Sequence, residues 1–226
     1  MEILIFGYSG ARVLFFPPRI GRFYDYENWG VIEALRHPIE QGWLQVFCVD
    51  SVDRESFYCF WCHPRGRITR HLEYENYILY EALPFSRQKN SNPYLMSVGC
   101  SFGAYHAVNI ALRHPQYFSK VVGMSGRYDL TFSVGVFKDL LDGYYDEDIY
   151  FNTPSHYVPN IDNGDYLESI RKLDIILVIG QEDAFLDNNR DLSEKLWNKG
   201  IWHALHIWDE EAHKARYWRK MVQLYV

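Results

Sequence analysis

The sequence predicts an α/β protein: a mainly parallel sheet with helices on both faces and an antiparallel hairpin at its N-terminal edge. Three observations predict it. Short apolar runs rich in Ile, Val, Leu and Phe alternate with segments of helical periodicity, the pattern of right-handed crossovers between parallel strands. The run Ile175-Ile176-Leu177-Val178-Ile179, bounded by Asp174 and Gly180, is continuously apolar, as a strand covered on both faces must be. The first two apolar runs, Glu2–Phe6 and Arg12–Phe16, are separated only by Gly7-Tyr8-Ser9-Gly10-Ala11, a turn short enough for a hairpin.

The remaining elements follow in order. Glu27–Arg36 is a predicted helix, closed by His37-Pro38 because the residue before proline avoids the helical region. Gln45–Val49 is a buried strand. His71–Leu83 is a long helix with Leu72, Tyr77, Leu79, Tyr80 and Leu83 as its apolar residues. Tyr94–Val98 is a strand, Phe102–Arg113 a helix stopped at His114-Pro115, and Lys120–Met124 the next strand. After Asp174–Ile179, Leu192–Asn198 lies in a helix ended by Lys199-Gly200, where glycine takes the left-handed cap. Ala204–Trp208 is the last strand and Ala212–Leu224 the last helix. Residues 125–165 break the rhythm, being rich in Tyr, Asp, Gly and Pro. They read as a short cap-like insertion within a single domain spanning 1–226.

Composition narrows the function classes. The 226 residues are 48% hydrophobic and 23% charged, which is the globular range. A net charge of −6 argues against a general nucleic-acid binder, which needs a basic surface to displace counterions. No apolar run approaches the roughly 20 residues a bilayer requires, and Glu2 stands where a secretory leader would be cationic. Four cysteines are too few for a disulfide scaffold at this length, so the expectation is a protein of the reducing cytoplasm. The aromatic share, 17%, is high enough that rings are expected in a pocket as well as in the core.

The chemistry centres on Gly99-Cys100-Ser101-Phe102-Gly103, which follows a strand and opens a helix. That is the context of a nucleophile elbow: a serine on a strained turn, its hydroxyl exposed at the carboxyl end of the sheet, with small residues where bulk would clash. A serine hydroxyl is a weak nucleophile without a base, and the base needs an orienting acid. In this arrangement the order along the chain is Ser, then Asp or Glu, then His. Asp183 follows the strongest strand; Glu182 and Asp187 are rivals in the same loop. His213 follows the last strand, whereas His203 and His206 come too early and His106 sits inside the helix after the serine. The oxyanion of a tetrahedral intermediate needs two backbone donors. One is Phe102 N–H. The other falls in Phe16-Pro17-Pro18-Arg19-Ile20-Gly21, where both prolines lack an N–H and Arg19 or a near neighbour remains.

The segment Gly99-Cys100-Ser101-Phe102-Gly103-Ala104-Tyr105-His106-Ala107, followed by Ala111-Leu112-Arg113-His114-Pro115 and Phe118, resembles the putative esterase family of the α/β-hydrolase superfamily. That family includes esterase D (S-formylglutathione hydrolase) and relatives of feruloyl esterases and mycolyltransferases. Gly21-Arg22-Phe23-Tyr24, Phe47–Asp53, Gly143-Tyr144-Tyr145-Asp146 and Tyr217-Trp218-Arg219-Lys220 resemble a small bacterial esterase branch, so the likeness spans most of the chain. The resemblance implies an α/β-hydrolase fold and places the nucleophile, acid and base at Ser101, Asp183 and His213. It departs at the base, where Lys214-Ala215 stands in place of the family's frequent Asp-Trp. The expected activity is that of a serine carboxylesterase acting on short acyl esters of small molecules, without cofactor or metal. An acyltransferase, a carbohydrate-ester esterase and a non-catalytic binding module are the alternatives.

Other motifs carry less. Cys59-Phe60-Trp61-Cys62 has metal or redox spacing but no second pair, and reads as buried thiols. The acidic residues Asp142, Asp146, Glu147 and Asp148 lack the spacing of a calcium loop and read as a solvated face. Arg65, Arg67 and Arg70 read as a surface basic cluster. Tyr144, Tyr145, Tyr150 and Tyr157 form either an aromatic wall over the pocket or the packing of a loop with little other core.

Overall fold

The computed structural model describes residues 1–226. Seven strands form one sheet: β1 (Ile3–Phe6), β2 (Ala11–Phe16), β3 (Leu44–Val49), β4 (Leu95–Cys100), β5 (Lys120–Met124), β6 (Asp174–Gly180) and β7 (Ala204–Trp208). Their order is β1-β3-β2-β4-β5-β6-β7. All pairings are parallel except β1 with β3, in the register Ile3 opposite Val49 and Phe6 opposite Val46.

The antiparallel edge strand is present, but β1 and β2 do not form a hairpin. β3 inserts between them. The intervening turn instead crosses over the start of β3. Ala11 N–H donates to the Trp43 carbonyl at 2.8 Å and Gln45 Nε2 donates to the Gly7 carbonyl at 3.0 Å. Gly7 and Gly10 both have φ of +89°, and a Cβ on either would run into the backbone of Leu44 or Trp43. These glycines serve a close chain crossing, not a tight two-strand turn.

Eleven helices surround the sheet: α1 (Asp25–Asn28), α2 (Val31–Ala34), α3 (Arg36–Glu40), α4 (Pro64–Tyr77), α5 (Leu83–Lys89), α6 (Phe102–Arg113), α7 (Glu147–Phe151), α8 (Pro154–Tyr157), α9 (Asp165–Ile170), α10 (Leu186–Asn198) and α11 (Ala215–Tyr225). The single helix predicted over 27–36 is three short ones. Gly30, at φ +67°, breaks the run, and Pro38 lies in the first turn of α3, where its missing N–H has no intrahelical partner to lose. The helix predicted over 71–83 is longer at both ends. Pro64 opens α4 behind a His63 cap, and the π-helical segment Ile78–Ala82 joins α4 to α5. That wider turn relieves the clash between the Pro84 ring and the preceding turn.

Side chains alternate across the sheet and fill two cores. Leu14, Phe16, Val121, Ile175 and Leu177 face α6, α10 and the α4–α5 helix. Val13, Phe15, Val98, Val122, Met124 and Val178 face α1, α2 and α11, through Tyr26, Val31, Trp218 and Met221. A smaller core of Phe57, Ile68, Phe102, Tyr105 and Leu141 joins the segment after β5 to the head of α6. No helix is long and apolar enough to cross a membrane.

Two expectations about minor motifs are corrected. Cys59 and Cys62 are joined by a disulfide, their Cα atoms 5.3 Å apart across a turn closed by Cys62 N–H to the Cys59 carbonyl at 2.8 Å. Arg67 is not a surface residue. Its side chain is 1% exposed and donates to the carbonyls of Cys59, Phe60, Cys62 and Leu140, with Asp142 as ion-pair partner at 2.8 Å.

Candidate active site

The turn from β4 into α6 holds Ser101 at φ +56°, ψ −123°, a conformation an L-residue adopts only under constraint. The constraints are on either side. A Cβ on Gly99 would meet the Gly103 backbone, and a Cβ on Gly103 would meet the carbonyls of Phe16 and Pro17. Ser101 N–H donates to the Met124 carbonyl at 2.8 Å, pinning the turn to β5. The buried Tyr26 hydroxyl accepts from Cys100 N–H at 2.9 Å and donates to the Phe16 carbonyl at 2.7 Å, tying the same turn to the end of β2. Neither contact carries a local sequence signature.

Three side chains from separate loops meet at this turn. His213 Nε2 lies 2.9 Å from Ser101 Oγ, and His213 Nδ1 lies 2.6 Å from Asp183 Oδ2. With Nδ1–H donated to the carboxylate, Nε2 presents its lone pair to the serine hydroxyl. The other Asp183 oxygen accepts from Phe185 N–H at 2.9 Å, and the Asp183 side chain is 2% exposed. Glu182 and Asp187, the rival acids, face solvent. His203 and His106 are engaged elsewhere, with Ser193 Oγ at 2.7 Å and Asp53 Oδ1 at 2.9 Å.

The loops that carry His213 and Asp183 are bound to each other. Gln181 N–H donates to the Trp208 carbonyl at 2.7 Å and Glu182 N–H to the Glu210 carbonyl at 3.0 Å. Gly180 packs so closely on Glu211 that a Cβ would overlap its backbone. The helix predicted from Ala212 starts at Ala215; Ala212, at φ +49°, turns the chain so that His213 precedes the helix and faces the serine. Ser125 Oγ, donating to the Ala212 carbonyl at 2.9 Å and accepting from Trp218 Nε1 at 3.1 Å, holds that turn.

The loop after β2 leaves few backbone N–H groups free for the role expected of a second oxyanion donor. Ile20 N–H is committed to Asp53 Oδ2 at 2.9 Å and Gly21 N–H to the Pro18 carbonyl at 2.7 Å. With Pro17 and Pro18 lacking the group, Arg19 N–H is left. Phe102 N–H opens α6, where the first N–H groups have no intrahelical acceptor. Asp53 is fully buried and held from α6 by His106, so one carboxylate links the helix behind the serine to the Arg19 loop.

A cavity of about 270 Å³ opens onto Ser101, Phe102 and His213. Its other walls are Arg19, Trp29, Tyr58, Arg127, Phe137, Phe185 and Trp218. Residues 125–165 therefore reach the cavity through Ser125, Arg127 and Phe137. Tyr144, Tyr145, Tyr150 and Tyr157 do not line it: Tyr157 is buried against Asn109, Tyr144 bonds to Asp146, Tyr145 to His156, and Tyr150 accepts from Asn160. No cluster of three or more His, Cys, Asp or Glu side chains is placed to hold a metal ion.

The Putative esterase family matches residues 26–223. No curated protein matches the chain. Among solved structures, an S-formylglutathione hydrolase from Agrobacterium tumefaciens superposes with a TM-score of 0.74 at 15% identity, over 98% of this chain and 86% of that one. An S-formylglutathione hydrolase from Staphylococcus aureus gives 0.66 at 17% identity, over 96% of this chain and 80% of that one. A ferulic acid esterase gives 0.69 at 17% identity, over 95% of this chain and 82% of that one. At these identities the likeness establishes the α/β-hydrolase fold, and the family match over most of the length establishes the family. The chain belongs to the Putative esterase family and is a carboxylic ester hydrolase.

Proposed function

We propose that the protein hydrolyses short-chain acyl esters through an acyl-serine intermediate, with Ser101 as nucleophile, His213 as base and Asp183 as its orienting acid. The observation that carries this reading is the continuous hydrogen-bonded line from Asp183 through His213 to Ser101 Oγ at the head of α6. His213 Nε2 takes the Ser101 proton as Oγ attacks the ester carbonyl. The resulting oxyanion accepts from Phe102 N–H and Arg19 N–H, aided by the positive end of α6. Collapse expels the alcohol, which takes the proton from His213, and water activated by the same imidazole then releases the acid.

The size of the cavity, about 270 Å³, supports small acyl groups over long lipid chains. Residues 125–165 act in this reading as a short cap that narrows the entrance, through Arg127 and Phe137. The test is a series of p-nitrophenyl acetate, butyrate and octanoate, with product acid quantified against added alcohol acceptor. The expected result is fastest turnover of the shorter two with free acid as the main product. Inertness toward all three would overturn the reading, and predominant transfer to the acceptor would replace it with acyl transfer.

A further inference from the structure

We propose that the cavity beside Ser101 contains an anion subsite, formed by Arg19, Arg127 and Tyr58, that selects esters carrying a second, free carboxylate. The proposal rests on the esterase reading above and adds a substrate class to it.

The charge arrangement is the starting point. The chain carries a net charge of −6, yet the walls of this cavity hold two guanidinium groups, and its residues include no Asp or Glu. Arg127 is 4% exposed. Its Nε donates to the Asp129 carbonyl at 3.0 Å, and Nη2 donates to the carbonyls of Leu130, Phe132 and Lys138 at 3.0, 2.7 and 2.8 Å. Every one of those acceptors is neutral. Nη1 donates to no protein atom and is not among the sealed, unpartnered atoms of the interior, so it opens into the cavity. Arg127 makes no direct ion pair, although the nearby Asp129 and Asp139 charges favour its charged form; a ligand carboxylate would offset more of the cost of its burial through charge-assisted hydrogen bonds.

Arg19 and Tyr58 complete the subsite. Arg19 makes no ion pair and lies over the Tyr58 ring at 5.8 Å. The Tyr58 hydroxyl has no protein partner and is also open to the cavity. Burial and then the Asp53 carboxylate push the Tyr58 phenol up, while Arg127 and Arg19 both pull it back. A neighbouring groove of about 520 Å³ shares Arg19, Tyr58, Arg127 and Phe137 with the Ser101 cavity, so the subsite sits where the two meet. The groove's own carboxylates are engaged. Asp139 accepts from Leu141 and Gly143 N–H, each at 2.8 Å, and Asp142 pairs with Arg67.

The test compares matched esters. Mono-4-nitrophenyl glutarate differs from 4-nitrophenyl valerate by a carboxylate in place of the terminal methyl, and probes the acyl side. 3-Carboxyphenyl acetate against phenyl acetate probes the alcohol side. The expected result is a kcat/KM at least about tenfold higher for the charged member of one pair, as charge-assisted hydrogen bonds allow. That ratio should fall in high salt and in Arg19→Gln and Arg127→Gln. A ratio below about twofold in both pairs, or one that both variants retain, would overturn the subsite while leaving the esterase reading intact. If Arg127→Gln does not fold, Arg19→Gln, an exposed change, decides the comparison. If no ester is cleaved, the esterase reading fails, and titration of glutarate into Ser101→Ala reads the subsite directly. Binding that Arg19→Gln weakens supports it, and no binding overturns it.

Discussion

His213 Nε2 and Ser101 Oγ lie 2.9 Å apart although 112 residues separate them in sequence. The contact depends on two loops from opposite halves of the chain emerging at the same end of the sheet. It also depends on Asp183, whose carboxylate fixes which imidazole nitrogen carries the proton. Asp183→Asn is nearly isosteric but can donate to Nδ1, favouring the tautomer that cannot accept the serine proton. We expect kcat to fall on the order of 10³–10⁴-fold with little change in melting temperature. Steady-state kinetics alongside thermal unfolding checks this; a variant within tenfold of wild type would remove Asp183 from the account.

Asp53 carries the second prediction. It accepts from Ile20 N–H and is anchored by His106, so it sets the orientation of the Arg19 peptide without touching substrate. Asp53→Ala should lower kcat by about 10²-fold, the effect of one oxyanion donor misplaced, with a much smaller change in KM. The same change should destabilise the fold by about 1–3 kcal/mol, because Ile20 N–H loses its acceptor. A KM effect without a kcat effect would mean the loop shapes the pocket but not the oxyanion site.

Gly103 is the third. A Cβ there would strike the Phe16 and Pro17 carbonyls, so Gly103→Ala must push α6 away from the end of β2. The expected outcome is a loss of about 1–3 kcal/mol of stability by overpacking, and loss of activity at temperatures where the variant is still folded. Denaturant unfolding and kinetics on the same preparation separate the two effects.

Stability should also fall on mild acidification. His71 is buried between α4 and α6, faced by His106, Glu75 and Arg113, and its pKa is pushed down to about 3 by burial first and the His106 charge second. Burial likewise lowers His203. His71 is neutral when folded and His203 is biased the same way, so the unfolded chain binds more protons once the pH drops below the ordinary value of 6.5. His71 alone should cost about 2 kcal/mol by about pH 5 relative to pH 7. Chemical denaturation across that range measures it. His71→Gln, which keeps a donor for Asn152 Oδ1, should flatten the dependence.

The parts of the molecule that were legible in the sequence are those decided locally. α6 begins and ends where its elbow and His114-Pro115 require, and β5 and β7 lie where their apolar runs stand. The meeting of Ser101, Asp183 and His213 could be anticipated because each follows a strand, and parallel strands deliver their following loops to one end of the sheet. The partner of β1 could not be read, because a short turn looks the same whether it closes a hairpin or crosses a third strand. The supports of the site were equally hidden. Tyr26 reaches Cys100 across 74 residues and Trp218 reaches Ser125 across 93, contacts that only the assembled sheet creates. Arg67 looked like a surface cation because nothing in its neighbourhood announces the backbone carbonyls that surround it.

The most direct test of the central claim is covalent. A fluorophosphonate probe should add once to the wild-type protein, at Ser101 by peptide mass mapping, and abolish hydrolysis of p-nitrophenyl acetate. Ser101→Ala should neither take the label nor retain more than about a thousandth of the rate. Labelling at another residue, or an undiminished rate in folded Ser101→Ala, would contradict the account.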